Sequence, residues 1–157
     1  MLGAPGVGRL ALTTQIIGGY FYEYQTHIPE DRFRRPLCVD GITSLIELHK
    51  IEPTDDTLHE AYHRCHGFVL IFSHDVDTSL EVMGKLYDEI YKVKEGQCPM
   101  VVIANKCDLQ IEDRQVVETG KNMAKQWNVP FFEASAKMKT NVEEAFADLV
   151  RQIRATE

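Results

Sequence analysis

The sequence predicts a doubly wound α/β domain, with a mostly parallel sheet covered by helices on both faces. Three observations carry that expectation. Continuous apolar runs occur at residues 67–73, 99–104 and 130–134, the pattern of strands buried on both faces. Each run is followed by a longer stretch with apolar residues close to helical spacing. A glycine-rich turn, Gly3-Ala4-Pro5-Gly6-Val7-Gly8, precedes the first helical stretch. Alternation of this kind builds parallel sheets, because joining two parallel strands takes a helix-length crossover. Ligands of such sheets bind beyond the carboxyl ends of the strands. Functional motifs are therefore expected directly after the apolar runs.

The elements follow in order. Residues 10–19 read as a helix after the glycine-rich turn. Residues 36–40 and 44–49, separated by Gly41, read as a hairpin. The polar stretch 56–65 reads as a short helix, and 67–73 is the first buried strand. In 77–95, Leu80, Val82, Met83, Leu86, Ile90 and Val93 mark the buried face of a helix. The second buried strand, 99–104, leads to a helix over 112–127 with Val116, Met123 and Ala124 inward. The third, 130–134, leads to a helix over 141–153 with Val142, Ala145, Phe146, Leu149, Val150 and Ile153 on one stripe.

A length of 157 residues suits one domain. A 44 % hydrophobic and 26 % charged composition is that of a globular chain. Seventeen Lys and Arg against 24 Asp and Glu give a net charge of -7, a poor match to nucleic acid, and no nucleic-acid partner is expected. No apolar run approaches the ~18 residues of a membrane span. No signal peptide or lipidation box is visible either. A cytoplasmic location without a membrane anchor is expected. Cys38, Cys65, Cys98 and Cys107 form no C-x-x-C pair and read as reduced thiols.

Gly3-Ala4-Pro5-Gly6-Val7-Gly8-Arg9-Leu10 has the frame of a phosphate-binding loop, G-x-x-x-x-G-K-[ST], with Arg9 for the lysine and Leu10 for the hydroxyl residue. Its glycines let backbone N–H groups turn around a phosphate at a helix N-terminus. Arginine is larger and planar where lysine is compact, and leucine offers a metal no ligand. A plain glycine-rich strand-to-helix turn is the alternative. Two further motifs follow buried strands: Asn105-Lys106-Cys107-Asp108 and Ser135-Ala136-Lys137.

The order and placement of these motifs resemble the guanine-binding motifs of Ras-like small GTPases. The resemblance implies that the Asp108 carboxylate accepts two hydrogens from guanine. It implies that the Lys106 stem lies along the base with its head tied back to the phosphate-binding loop, and that the Ala136 N–H faces the guanine carbonyl. Phe21 falls where the family packs a phenylalanine against the nucleotide. Glu30, Asp31 and Phe33 resemble the effector-contacting segment of Ras and Rap proteins, so a protein partner is expected on this surface. Val39-Asp40-Gly41 matches the family's hairpin turn, and the stretch from Asp148 to Ile153 is close to Rap. The whole chain, 1–157, is identified as one Ras-like domain with a small-GTPase fold.

Departures from the family pattern carry as much meaning. Kept in register, the switch threonine that closes on Mg²⁺ falls at Ile28, with Thr26 nearby. The segment that should read Asp-x-x-Gly is Lys50-Ile51-Glu52-Pro53. Pro53 has no N–H to sense a γ-phosphate, and Thr54 stands where a water-orienting glutamine would. Leu10, Ile28 and Lys50 together remove the usual protein supports for Mg²⁺. Phosphoryl transfer relies on the metal and on positioned donors, so hydrolysis is expected to be absent or very slow and the chain reads as a pseudo-GTPase. GTP or GDP would then bind without Mg²⁺, with Arg9 and Lys50 replacing the metal's charge. The alternatives are an empty pocket in which those cations pair with Glu47 or Glu52, and a slow but working switch.

Three other signals remain. Only Met1 and Leu2 precede Gly3, where the family has an apolar strand, so the first strand is expected to be truncated: either the sequence given begins late or has a different true N-terminus, or another segment or chain fills the gap. His59-Glu60-Ala61-Tyr62-His63 matches H-E-x-x-H, a zinc-protease helix motif, without a third ligand beyond His66. The mixed charges from Glu30 to Arg35 fit either a solvated edge strand or a partner-binding strand.

Overall fold

The computed structural model describes residues 1–21, 32–49 and 58–157. Four strands, β1 (Leu2–Gly3), β4 (Phe68–Phe72), β5 (Met100–Ala104) and β6 (Phe131–Glu133), form a parallel sheet in the order β1-β4-β5-β6. The hairpin β2 (Arg32–Val39) and β3 (Ile42–His49) forms a second, two-stranded sheet. Helices α1 (Arg9–Gly18), α2 (Leu58–Arg64), α3 (Ser79–Val93), α4 (Gln115–Gln126) and α5 (Val142–Thr156) complete the described elements.

Alternation along the strands divides the core into two layers. Val69, Ile71, Val101 and Ile103 face Leu12 and Ile16 of α1 and Phe146 and Leu149 of α5. Phe68, Leu70, Phe72 and Val102 face Tyr62 of α2, Met83, Leu86 and Ile90 of α3, and Val117 and Ala124 of α4. Helices thus cover both faces, as the continuous apolar runs require. Each fully buried Leu, Ile or Phe contributes about 1.5–3 kcal/mol. α4 lies close on the sheet: a Cβ on Gly120 would stand 2.2 Å from Phe72 Cζ. The Gln152 amide pairs with both the N–H and the C=O of Met100, at 3.0 Å each, fixing α5 to the start of β5.

β1 pairs Leu2 with Leu70 and Gly3 with Ile71. The Met1 ammonium donates to His49 O at 2.8 Å, linking β1 to the end of β3. Below this link the facing edges of β3 and β4 border a groove of about 1050 Å³, lined among others by Ile46, Leu48, Phe68 and Leu149. β2 begins earlier than the hairpin read from sequence. Arg32, Phe33, Arg34 and Arg35 pair with His49, Leu48, Glu47 and Ile46. Charge masked this part of the strand: Phe33, Leu37 and Val39 are buried while Arg34, Pro36 and Cys38 are exposed, the period of two of a half-buried strand. No described helix is long and apolar enough to cross a membrane.

Candidate functional site

The candidate site is built at the carboxyl ends of the parallel strands. After β1 the chain turns through Gly6 (φ 85°) and Gly8 (φ 95°), and Gly8 caps α1. Side chains are excluded here on two grounds. The left-handed φ disfavours them, and a Cβ on Gly8 would meet Asn105 Nδ2 at 2.3 Å. A Cβ on Gly3 would meet Ile71 O at 2.4 Å, so the strand entering the turn also lies backbone-to-backbone against β4. The turn and the first N–H groups of α1 form a cradle suited to an anion. Val7 is fully buried, and Arg9 opens α1 at 8 % exposure.

Asn105, just past the end of β5, joins its own motif to the other two. Its Nδ2 donates to Val7 O at 2.8 Å, and its Oδ1 accepts from Ala136 N at 3.3 Å. Gln15 of α1 reinforces the same junction by donating to Ala136 O at 2.7 Å. Ser135 is fully buried; its Oγ donates to Asp108 Oδ1 at 2.6 Å and accepts from Met138 N at 3.0 Å. This fixes an exposed carboxylate on a buried hydroxyl, an arrangement able to present oxygen acceptors to the edge of a base. Lys137 is exposed, and Phe21 is half-buried against the α1/α5 core layer.

Two details differ from the expected geometry. The Lys106 ammonium does not reach back to the phosphate-binding turn; it pairs with Asp75 in the β4–α3 loop at 2.7 Å. The Ala136 N–H is engaged by Asn105, so its bond to a base carbonyl would have to share that donor. Asp75 was not marked by any motif. Its position, just past the apolar run of β4, is the signal that the strand-end rule supplies. Hydrogen bonds from Lys106 and Ser73 outweigh the burial that would raise it, and hold the Asp75 carboxyl below the usual range.

The metal side fits differently. Leu10, half-buried in the first turn of α1, offers only hydrocarbon where an oxygen ligand would stand. Ile28, Thr26, Lys50, Glu52, Pro53 and Thr54 lie outside the described residues, as do Glu30 and Asp31 of the effector-like surface. Phe33, the third member of that surface, is buried at 9 % exposure. It lies on the same face of β2 as the buried Leu37 and Val39 and so exposes little of its ring. Glu47, one suggested partner of Arg9, is taken by Arg34 and by His49 at 2.7 Å. In α2 the exposed His59 and His63 join no group of three metal-ligating side chains among the described residues, and Glu60 pairs with Arg64. The zinc reading therefore has no ligand set there.

A family model described as the Ras family matches residues 1–155.

Proposed function

The chain belongs to the Ras family of small GTPases, and on that premise we propose that it is a pseudo-GTPase: a guanine-nucleotide-binding module that has lost hydrolysis and works through protein contacts. The observation that carries this reading is the contrast between the two ends of one site. At the base end, the consecutive residues Ser135 and Ala136 are hydrogen-bonded to Asp108 and Asn105 respectively. At the phosphate end, Leu10 stands where a metal ligand is needed.

Guanine would be held by Asp108 and flanked by Lys106 and Phe21, with Lys137 at the rim. Phosphates would lie in the cradle of Gly3, Gly6, Val7 and Gly8. Arg9, with Lys50 as its sequence-level partner, would supply positive charge in place of Mg²⁺. A guanidinium can stabilise bound phosphate, yet the loss of metal ligation and of a water-orienting residue leaves little to neutralise a transferring phosphoryl group. A surface that no longer senses the γ-phosphate through Pro53 would present the same face to a protein partner in either nucleotide state.

The direct test is phosphate release from GTP under single-turnover conditions with Mg²⁺ present. The expected result is GTP bound and recovered intact, with release no faster than in buffer. Release above that background, lost on Arg9→Ala, would favour a working switch instead.

A further inference from the structure

The following rests on the guanine-binding reading. We propose that Asp75, which lies outside the guanine-binding motifs, is a positioning residue of the base subsite: its carboxylate anchors the Lys106 ammonium and so fixes the stem that flanks guanine. The geometry is specific. Asp75 Oδ2 accepts from Lys106 Nζ at 2.7 Å, and Oδ1 accepts from the Ser73 hydroxyl. Ser73 is fully buried, and its Oγ also lies 3.4 Å from Asn105 O, beside the peptide that leads into Lys106.

The loop that carries Asp75 is itself held. Val76 N donates to Ser73 O at 3.2 Å, Ser79 N to Val76 O at 3.0 Å, and Ser79 Oγ to Ser73 O at 2.9 Å. Val76 packs toward the phosphate-binding turn, 3.7 Å from where a Cβ on Gly6 would be. Lys106 has φ 64°, a left-handed backbone that L side chains rarely adopt, so its side chain leaves the strand end in a direction needing support. Both partners keep about a third of their side-chain surface open, at 29 % and 35 %, so a ligand can reach the lysine stem while its head stays paired. Asp75 thus supplies the anchor that the phosphate-binding turn does not.

The test is equilibrium binding of GDP and of guanosine to the full chain, comparing wild type, Asp75→Asn, Asp75→Glu, Lys106→Gln and the Asp75→Asn/Lys106→Gln double variant. Thermal unfolding of each variant serves as the folding check. Asp75→Asn is expected to weaken GDP roughly tenfold, the scale of one lost coupling between contacting residues. Guanosine should lose the same factor, because the effect lies at the base and not at the phosphates. Asp75→Glu should restore most of the affinity. Adding Asp75→Asn to Lys106→Gln should change nothing further, since Asp75 acts through the lysine. Wild-type binding with Asp75→Asn within twofold of it, or a double variant showing the product of both losses, overturns the proposal alone. A wild type that binds no guanine compound overturns the underlying reading, and the proposal with it.

Discussion

Arg151 of α5 grips Asp40, at the tip of the β2–β3 hairpin, with two hydrogen bonds of 2.7 Å, Nε to Oδ2 and Nη2 to Oδ1. Asp40 (φ 53°) and Gly41 (φ 76°) are the two loop residues of a tight hairpin, both left-handed as that turn requires. One turn further along α5, Arg154 donates to Val39 O, Ile42 O and Ser44 Oγ. The helix end thus holds a hairpin that the four-stranded sheet does not include.

Acid should release the first of these contacts. The Arg151 hydrogen bond lowers the Asp40 carboxyl from its usual value. A depressed carboxylate stabilises the fold fully above its unfolded pKa, about 4, and loses that contribution as pH falls through the lowered value. The gap in unfolding temperature between wild type and Arg151→Ala should be small and constant at neutral pH and should close in strong acid. Arg154→Ala should cost more, about 1–2 kcal/mol, because three oxygens lose a charged donor. Urea titration checks both variants.

Gly8→Ala should damage both fold and site. The added methyl enters a left-handed position and stands 2.3 Å from Asn105 Nδ2, so the Asn105–Val7 bond must give way. The expected loss is about 1–3 kcal/mol, accompanied by loss of nucleotide binding. Denaturant unfolding and GDP titration read the two effects separately.

Tyr62→Phe should be neutral or stabilising, by up to about 1 kcal/mol. The Tyr62 hydroxyl is buried without a hydrogen bond of good geometry among the described residues, and burial, followed by the nearby Glu89 carboxylate, raises its pKa. Its ring packs edge-on against Phe68 at 5.8 Å, a contact that phenylalanine keeps. Equilibrium unfolding of the two proteins measures the difference.

Asp108→Asn should erase discrimination rather than fold. The carboxylate accepts from the base's ring N–H and 2-amino group in the proposed mode, and inosine lacks that amino group. Wild type is expected to prefer GDP over IDP by about 10-fold or more, the scale of one buried hydrogen bond to a charged group. Competitive titration should show that preference collapsing in the variant.

The long, strongly patterned elements were legible in the sequence. The apolar run 67–73 contains β4, and the stripe through Val142, Ala145, Phe146 and Leu149 is the buried face of α5. The start of β2 was hidden because Arg32, Arg34 and Arg35 obscure the inward alternation of Phe33, Leu37 and Val39. In the site, glycines and motif residues could be read because their chemistry is local. Asp75, Ser73 and Gln15 could not, because their roles depend on partners brought together by the fold: Gln15 meets Ala136 across 121 residues of chain. Phe33 shows the converse: a likeness of sequence suggested a surface residue, and the strand's two-residue period leaves its ring 9 % exposed.

The proposed function has guanine nucleotide binding here without magnesium. Its most direct measurement is a titration of nucleotide-free protein with GDP, first with Mg²⁺ and then with excess EDTA. The account predicts saturable binding whose affinity is the same in both, and weaker in both for Arg9→Ala. An affinity that collapses on chelation would contradict it and restore an ordinary metal-dependent pocket.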